Sequence, residues 1–308
     1  MQRFTLADGI PERFRGSVVA LGNFDGFHLG HQAVVGRAVA RAAHERRPAI
    51  VATFDPHPVR FFKPDATPFR LTSLDQRAEL FAGAGADACL VFGFDAGLAA
   101  TSAEDFVRLL AEDLGAAAVV TGEDFTFGAR RGGNAAVLRE LGAAHGLAAE
   151  AVAPVALGGD AVSSSRIRQA LAEGDTATAT RLLTRPFAIR GTVQHGDKRG
   201  RELGYPTANL TLGDYLRPAY GIYAVRVRLP DGSERAGVAN IGIRPTFEPP
   251  VELLEAYLFD WSGDLYDQEI DVALHHFLRP ERRFDSMDAL ATQMRSDEAE
   301  ARRLLAIA

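Results

Sequence analysis

The sequence predicts an α/β domain with a parallel sheet, followed by a small antiparallel β-barrel with a terminal helix. Up to about residue 184, short β-rich runs alternate with helical patterns, which is typical of a mostly parallel sheet covered by helices on both faces. The composition changes at residues 185–187, and period-2 patterns follow. The length of 308 residues is about twice that of one domain. We therefore expect one domain at 1–184 and a second at 185–308.

The strands of the first domain are predicted from short apolar runs, and its helices from the amphipathic spacing between those runs. Ligands of an open parallel sheet bind beyond the carboxyl ends of its strands, so we expect functional residues directly after the strands. The predicted strands are 17–21, 49–54, 88–92, 117–121 and 148–153, and the predicted helices are 30–46, 73–84, 103–114, 133–145 and a pair within 164–184.

The second domain alternates apolar and polar residues, which predicts antiparallel strands with one buried face. Residues 230–232, Pro-Asp-Gly, predict a hairpin turn between two of these strands. The predicted strands are 187–194, 221–229, 234–243, 251–260 and 268–278. A helical pattern ends the chain, and its apolar stripe is predicted to consist of Met287, Leu290, Met294, Ala301 and Leu305.

Composition and charge exclude several classes of protein. An apolar fraction of 47% and a charged fraction of 24% are those of a globular chain. The formal charge of −6 argues against a nucleic-acid partner, because binding to the phosphate backbone needs a concentrated basic face. Lys63 and Lys198 are the only lysines in the chain. Neither lies in a GxxxxGKS/T loop, which excludes Walker-type phosphate binding.

The cysteine content and the apolar runs bear on where the protein works. Cys89 is the single cysteine and lies in an apolar run, so we interpret it as a small buried residue rather than a catalytic thiol. The first residues lack the apolar core of a signal peptide, and no stretch reaches the roughly 18 apolar residues that span a bilayer. We expect a cytoplasmic protein without a membrane partner, either a monomer or a weak homo-oligomer.

The most informative segment follows the first predicted strand and leads into the first helix. Residues 21–31 have the sequence LGNFDGFHLGH, which ends in an HxGH pattern. Its glycines let the backbone approach a ligand, and the free N–H groups of a helix N-terminus favour phosphate. His28 and His31 can add donors to the same anion. This arrangement suits stabilisation of charge on an α-phosphate as pyrophosphate leaves, although a histidine near a turn is more often an ordinary polar residue.

Three further segments lie where an open sheet binds its ligands. They are residues 53–58 (TFDPHP), 122–133 (GEDFTFGARRGG) and 163–168 (SSSRIR). In the last, serine hydroxyls and helix N–H groups can hold a triphosphate while Arg166 or Arg168 neutralises it. The alternatives are a serine N-cap with solvated arginines, turn-forming roles for the aspartates, and a histidine that is only held rigidly between two prolines.

At residues 21–31 the chain resembles the nucleotidyltransferase superfamily that transfers AMP from ATP, and the longer sequence pattern GNFDGxHxGH resembles its FMN adenylyltransferase branch. The resemblance implies a Rossmann-like domain in which His28 and His31 are catalytic. Cytidylyl transferases also use HxGH, so this tetrapeptide alone does not name the nucleobase. The implied contacts to ATP or FMN are Gly22, Asn23, Phe24, Asp25, Gly30, Asp55, Asp124, Ser164, Ser165, Arg166 and Arg168.

A second group of motifs opens the predicted barrel. Residues 191–210 have the sequence GTVQHGDKRGRELGYPTANL, whose glycines and basic residues suit a flexible loop that folds over nucleotide phosphates. The alternative is an ordinary barrel loop. Thr207 and Asn209 are two positions apart, so in an extended segment they point to one side. Their hydroxyl and amide oxygens are hard ligands that could complete an octahedral Mg²⁺ site together with nucleotide phosphates.

The basic loop followed by PTAN resembles riboflavin kinases, as do residues 238–247 (VANIGIRPTF) and 254–260 (LEAYLFD). Glu255 is the best candidate for a general base that accepts the proton of the riboflavin 5′-hydroxyl, and Glu252 or Asp260 could be mistaken for it. The resemblance implies that Thr207 and Asn209 bind Mg²⁺. The implied contacts to ATP or flavin are Gly196, Lys198, Gly200, Gly204 and Arg244.

The resemblance covers nearly the whole chain in order and spacing. It implies a bacterial bifunctional riboflavin kinase and FAD synthetase that uses riboflavin, FMN and ATP as small-molecule substrates and yields FMN and FAD. Tyr257 and Asp267 stand where the family often has histidine and glycine. Two other hypotheses remain at this stage: an adenylyltransferase for another phosphorylated substrate, with the barrel as a specificity module, and a flavin-responsive binding protein without turnover.

Overall fold

The computed structural model describes residues 1–195, 205–244 and 251–307. The chain forms two compact units. The first comprises Met1–Thr67 and Ser73–Ser163, and the second comprises Pro68–Thr72 and Ser164–Ala308. The domain boundary at residue 185 stays a prediction.

The first unit contains ten strands and six α-helices in its described residues. The strands are β1 (Gln2–Phe4), β2 (Val18–Leu21), β3 (Ala49–Asp55), β4 (Ala88–Gly93), β5 (Ala118–Gly122), β6 (Thr126–Phe127), β7 (Gly133–Asn134), β8 (Ala148–Val152), β9 (Ala156–Leu157) and β10 (Asp160–Ala161). The helices are α1 (Leu29–Glu45), α2 (Pro58–Phe62), α3 (Leu74–Gly83), α4 (Ala96–Ala100), α5 (Ala103–Arg108), which a π-helical turn (Leu109–Asp113) continues, and α6 (Ala135–Ala144).

The predicted parallel sheet is confirmed. Six strands pair in the order β1-β4-β3-β2-β5-β8, and every pairing is parallel. The five predicted strands form the sheet with bounds close to those expected, and β1 is an additional edge strand of three residues. From β2 the chain proceeds outward to β3 and β4, then returns to β5 and β8 on the other side. The connections therefore diverge beside β2, and such a switch point forms a ligand-binding crevice beyond the carboxyl ends of the strands.

Both faces of the four inner strands β2, β3, β4 and β5 are buried, which explains why these strands are mainly apolar. Val18 and Ala20 of β2 face one core with α1 and α3, whereas Val19 and Leu21 face a second core with α5 and α6. Cys89 lies fully buried in the first of these cores. Burial raises the pKa of its thiol to about 11, so the thiol stays protonated and packs as a small apolar group.

The second unit is built from a helical pair, an antiparallel sheet and a terminal helix. Its elements are α7 (Ser164–Ala172), α8 (Thr176–Leu183), β11 (Phe187–Thr192), β12 (Thr207–Thr211), β13 (Gly221–Arg228), β14 (Glu234–Arg244), β15 (Val251–Leu258), β16 (Glu269–Pro280) and α9 (Met287–Leu304). The sheet order is β11-β16-β13-β14-β15-β12. The sheet curls so that its two edge strands, β11 and β12, approach each other. Just after β11, the N–H of Gln194 donates to the carbonyl of Asn209 in β12 at 2.8 Å.

The terminal helix α9 packs against the sheet through its second half. Ala301 and Leu305 are buried with Phe259, as the apolar stripe predicts. Met287 is 59% exposed, so its place in the stripe is wrong; the buried residues of α9 lie near its other end. A charged contact adds to the packing, since Arg279 of β16 pairs with buried Asp297 at 2.7 Å. In the described ranges, no helix combines the length and apolar character that crossing a bilayer requires.

The aromatic packing around α3 makes a prediction about stability. Phe81 is fully buried and contacts Phe24 and Phe27 edge to face. Phe81→Ala should lower the free energy of unfolding by about 3–5 kcal/mol, because it removes buried surface and leaves a cavity. Urea denaturation followed by circular dichroism measures this loss. The exposed Met287→Ala should cost less than about 0.5 kcal/mol, and equal effects of the two substitutions would contradict the prediction.

Candidate active sites

The loop after β2 is held by aromatic anchors. Phe24 and Phe27 adopt left-handed backbone conformations with φ of 51° and 44°, which are uncommon for bulky residues. Their rings are nevertheless buried in the core, 5.7 and 5.2 Å from the ring of Phe81. Aromatic burial therefore offsets the backbone strain. The loop therefore has one defined path from β2 to the start of α1.

The two histidines of the HxGH pattern lie together at the positive end of α1. His28 is the N-cap, and its Nδ1 accepts from the N–H of His31 at 3.4 Å. The two imidazole rings stack with centroids 3.6 Å apart. Gly30 permits this packing, since a Cβ there would lie 3.2 Å from the His28 ring. The arrangement concentrates donors where a helix of 17 residues already favours an anion.

The residues between β2 and the histidines have different environments. A Cβ at Gly22 would lie 3.0 Å from the ring of Phe24. Phe24 is 1% exposed, and its ring meets His31 edge to face at 5.3 Å, so it supports that imidazole from the core. Asp25 is also buried. The side-chain carbonyl of Asn23 is buried without a hydrogen-bond partner among the described residues.

A buried arginine that the sequence analysis did not single out joins the ends of β2 and β3. Arg77 of α3 donates to the carbonyl of Asn23 at 3.1 Å and to the hydroxyl of Thr53 at 2.8 Å. It also forms an ion pair with Asp55 at 3.3 Å. The spacing of residues could have revealed this role. Arg77 stands four residues before Phe81, on the apolar face of an amphipathic helix, where a charged residue needs a partner.

A cavity of about 1150 Å³ lies beyond the carboxyl ends of β3, β4 and β5. Its wall includes six phenylalanines: Phe54, Phe62, Phe94, Phe106, Phe125 and Phe127. Lys63, Arg130 and Arg131 also line it, and no acidic side chain does so among the described residues. His57 lines it too and caps α2, accepting at Nδ1 from the N–H of Val59 at 3.2 Å. An aromatic wall with cations suits a planar ligand that carries an anionic group.

The other residues predicted for the first site follow β5 or begin α7. Asp124 is exposed after β5, and its carboxylate covers Gly122, where a Cβ would lie 2.9 Å from Oδ1. Ser164, Ser165, Arg166 and Arg168 begin α7, which belongs to the second compact unit. Arg168 donates to the carbonyl of Phe69 at 2.8 Å and lies over its ring. The nucleotide contacts predicted for these residues stay predictions.

The second site is aligned by antiparallel strand register. Asn209 of β12 lies opposite Glu255 of β15, and Thr207 lies opposite Tyr257. Directly paired residues point to the same face of a sheet, with Cβ atoms about 5 Å apart. The Thr207 hydroxyl donates to Oδ1 of Asn209 at 3.3 Å. The flanking residue Leu254 faces the core, so the polar side chains lie on the opposite face of β15.

The two carboxylates that could be mistaken for a base are both held by arginines. Glu252 accepts from Arg217 at 2.7 Å and from Tyr220. Burial alone would raise the pKa of Glu252, but these two hydrogen bonds outweigh burial and lower the pKa. Asp260 accepts from Arg302 at 2.8 Å, and this hydrogen bond lowers its pKa. A lowered pKa makes each group a weaker base.

A further polar residue of this face is Asn240 of β14. It pairs directly with Glu255, on the side opposite Asn209. Its amide nitrogen donates to Glu281 at 3.1 Å, and its carbonyl oxygen is buried without a hydrogen-bond partner in the part of the chain that the structure describes. The sequence analysis quoted the segment around Asn240 but assigned it no role, because only the register reveals its neighbour.

Several predicted kinase residues cannot be compared with the structure. Gly196, Lys198, Gly200 and Gly204 lie outside the described residues. Arg244 ends β14, where its backbone pairs with Val251. Their predicted contacts to ATP or flavin stay predictions.

Comparison with known proteins covers both parts of the chain. The family model for FAD synthetase matches residues 10–166, and that for riboflavin kinase matches residues 183–305. The chain is 44% identical to the bifunctional riboflavin kinase/FMN adenylyltransferase of Pseudomonas fluorescens, over 96% of this chain and 95% of that protein. It is 40% identical to the protein of the same name from Escherichia coli (strain K12), over 93% and 92%. A crystal structure titled macrolide-efflux protein, from Streptococcus pneumoniae, superposes with a TM-score of 0.87 and 30% identity, covering 98% of this chain and 99% of that one.

We expect Arg77 and Asp55 to be energetically coupled. Arg77→Met should lower the free energy of unfolding by about 3–5 kcal/mol, because it removes the buried guanidinium that donates to Asn23 and Thr53 and pairs with Asp55. Asp55→Asn should cost less, since this side chain is 32% exposed. A double-mutant cycle measured by urea denaturation should give a coupling energy of about 0.5–3 kcal/mol. Strictly additive losses would show that the ion pair contributes nothing, and Arg77→Lys is the control that retains the charge.

Proposed function

Because the chain belongs to the family of bifunctional riboflavin kinases/FMN adenylyltransferases, we propose that each reaction is carried out by one of the two groups of residues described above. The protein is a transferase that converts riboflavin and ATP to FMN and ADP, and FMN and ATP to FAD and diphosphate. The riboflavin kinase match over residues 183–305 disfavours the hypothesis that the barrel is only a specificity module.

The cavity of the first unit is the proposed site of FMN. The observation that carries this proposal is its lining, which combines six phenylalanines with three cations and contains no acidic residue among the described ones. The isoalloxazine ring of FMN is planar and largely apolar, so the phenylalanines can stack against it. The FMN phosphate is anionic, so the cations can pair with it.

His28 and His31 are the proposed catalytic residues of adenylyl transfer. An oxygen of the FMN phosphate forms a bond to the α-phosphorus of ATP while the bond from that phosphorus to the β-phosphate oxygen breaks, and diphosphate leaves. Negative charge develops on the α-phosphate oxygens. The stacked imidazoles and the N-terminal N–H groups of α1 are the donors proposed to stabilise it. Ser164, Ser165, Arg166 and Arg168 remain proposed contacts to the triphosphate.

Thr207, Asn209 and Glu255 are the proposed centre of the kinase. The oxygens of Thr207 and Asn209 are 3.3 Å apart, close to the separation of about 3 Å between adjacent ligands of an octahedral Mg²⁺ with bonds of roughly 2.1 Å. These two residues therefore fit the ion, which when bound would neutralise charge on the ATP phosphates. Glu255, directly opposite Asn209, is proposed to accept the proton of the 5′-hydroxyl as its oxygen bonds to the γ-phosphorus and ADP leaves.

The remaining contacts complete the proposal. Gly196, Lys198, Gly200, Gly204 and Arg244 are proposed to contact ATP or flavin. The formal charge of −6 supports a protein that acts on small molecules without binding nucleic acid. A monomer or weak homo-oligomer of the cytoplasm, without a membrane partner, remains part of the proposal.

Replacing Glu255 tests the kinase assignment. Glu255→Gln retains the shape of the side chain but not its basicity, so FMN formation from riboflavin, ATP and Mg²⁺ should fall by about 10²- to 10⁴-fold. Chromatography of the flavins over time measures this rate. FAD formation from supplied FMN should be unchanged, which serves as the folding control. Asp260→Asn, at an exposed carboxylate held by Arg302, is the matched control; a loss as large as that of Glu255→Gln would refute the assignment.

Asparagine substitutions at both histidines test the adenylyltransferase assignment. Asparagine is a good N-cap residue, so His28→Asn should leave α1 capped while it removes the imidazole. FAD formation from FMN and ATP should fall by about 10²- to 10³-fold in His28→Asn/His31→Asn. FMN formation by the same protein should be unchanged in the same chromatographic assay. Normal FAD synthesis by the double variant would show that the imidazoles have no catalytic role.

A further inference from the structure

We propose that Arg130 and Arg131 bind the phosphate of FMN and so give the adenylyltransferase site its preference for FMN over riboflavin. This inference rests on the proposal that the cavity of the first unit holds the flavin ring. The two flavins differ only in the terminal phosphate, so contacts to the ring cannot distinguish them. Discrimination requires groups that bind the phosphate itself.

The cations of the cavity lie together in a lining that contains no acidic side chain among the described residues. Arginines elsewhere, such as Arg279 and Arg302, form ion pairs with aspartates. Lys63, Arg130 and Arg131 line the cavity together, and none of them pairs with a carboxylate in the described part of the chain. Their positive charge is therefore not neutralised by the protein. An anionic ligand is the natural counter-charge for such a group.

The backbone at the two arginines is strained and held in place by its neighbours. Both residues are left-handed, with φ of 54° and 58°, a conformation that side chains disfavour and that often marks functional sites. The N–H of Arg131 donates to the carbonyl of Gly128 at 3.0 Å, and the N–H of Ala129 donates to Thr101 at 2.7 Å. Gly128 has no room for a side chain, since a Cβ would lie 2.8 Å from the backbone of Ala103. The segment is therefore fixed against α5.

One short hairpin supplies part of the aromatic wall and two of the three cations. Phe127 of β6 pairs with Gly133 of β7, and a Cβ at Gly133 would lie 2.5 Å from the Phe127 ring. The ring therefore lies directly on the hairpin. It also stacks with Phe125, with centroids 5.9 Å apart. The arginines lie in the turn between β6 and β7, so one rigid segment presents an aromatic surface and two guanidinium groups to one ligand.

The chemistry of the guanidinium group fits a phosphate monoester. Each arginine offers several N–H donors in a planar fork that matches the spacing of phosphate oxygens. Two such groups can bind a dianionic phosphate and leave one oxygen to attack ATP. Riboflavin has only a neutral hydroxyl at this position, so it gains nothing from the two charges. The site thereby selects the phosphorylated flavin.

The test uses the full chain and asparagine substitutions. Asparagine tolerates the left-handed conformation, so Arg130→Asn/Arg131→Asn removes both cations with little added strain. The KM for FMN in FAD formation should rise roughly 10- to 100-fold, as expected for the loss of charge-assisted hydrogen bonds. The inhibition constant of lumiflavin, a flavin ring without ribityl chain or phosphate, should be unchanged, as should the KM for ATP. Arg139→Asn, at an exposed arginine of α6, is the matched control and should change none of the three.

Three outcomes would overturn the inference. An unchanged KM for FMN would show that the arginines do not bind the phosphate. A rise in the KM for ATP alone would assign them to ATP instead, and a parallel rise for FMN and lumiflavin would indicate a structural role. Phe62→Ala tests the underlying proposal that the cavity holds the flavin ring. Phe62 lines the cavity, and because it is 64% exposed its removal should leave the fold intact. If that change affects neither lumiflavin nor FMN, the cavity does not hold the flavin ring, and both proposals fail together.

Discussion

The central position of β2 in the parallel sheet is the constraint on which the first unit depends. The chain leaves β2 toward β3 on one side and returns to β5 on the other, so the loops after these strands diverge and open a crevice. The loop after β2 then needs a defined path across that crevice. Phe24 and Phe27 provide it, because their rings are buried against α3 while their backbones adopt a strained conformation. This path leads to His28, the N-cap of α1.

The second unit aligns its polar residues by a different physical means. Antiparallel pairing places β12, β15 and β14 side by side, and residues directly opposite one another share a face. Asn209, Glu255 and Asn240 therefore form a row across three strands. A shift of one residue in any pairing would turn a member of this row toward the core. The buried side chains that alternate with the row, such as Leu254 and Ala256, oppose such a shift.

Many arginines of the protein are paired with carboxylates, whereas the cavity of the first unit holds three cations and no acidic side chain among its described lining residues. Glu252 and Asp260 accept hydrogen bonds from arginines, and the pKa of each carboxyl group is lowered. Arg77 is buried with acceptors around it. The cavity instead keeps three cations beside an aromatic wall. Because like charges within one site repel, this arrangement is most stable when an anion is bound.

The sequence by itself determined most of the main elements and the family, although the predicted strands did not include β1 (Gln2–Phe4) or β12 (Thr207–Thr211). Period-2 and helical patterns depend on neighbouring residues in the chain, so they predicted the parallel sheet, the curled antiparallel sheet and the segments that follow β2, β3 and β5. The resemblance of its local motifs to known families implied both enzymatic activities, and the family models agree. Only the tertiary structure decided that Arg77 joins two strand ends, that Asn240 lies beside Glu255, and that the phenylalanines form one cavity. These contacts join residues far apart in the chain, so they depend on strand register and helix packing, which local patterns do not record.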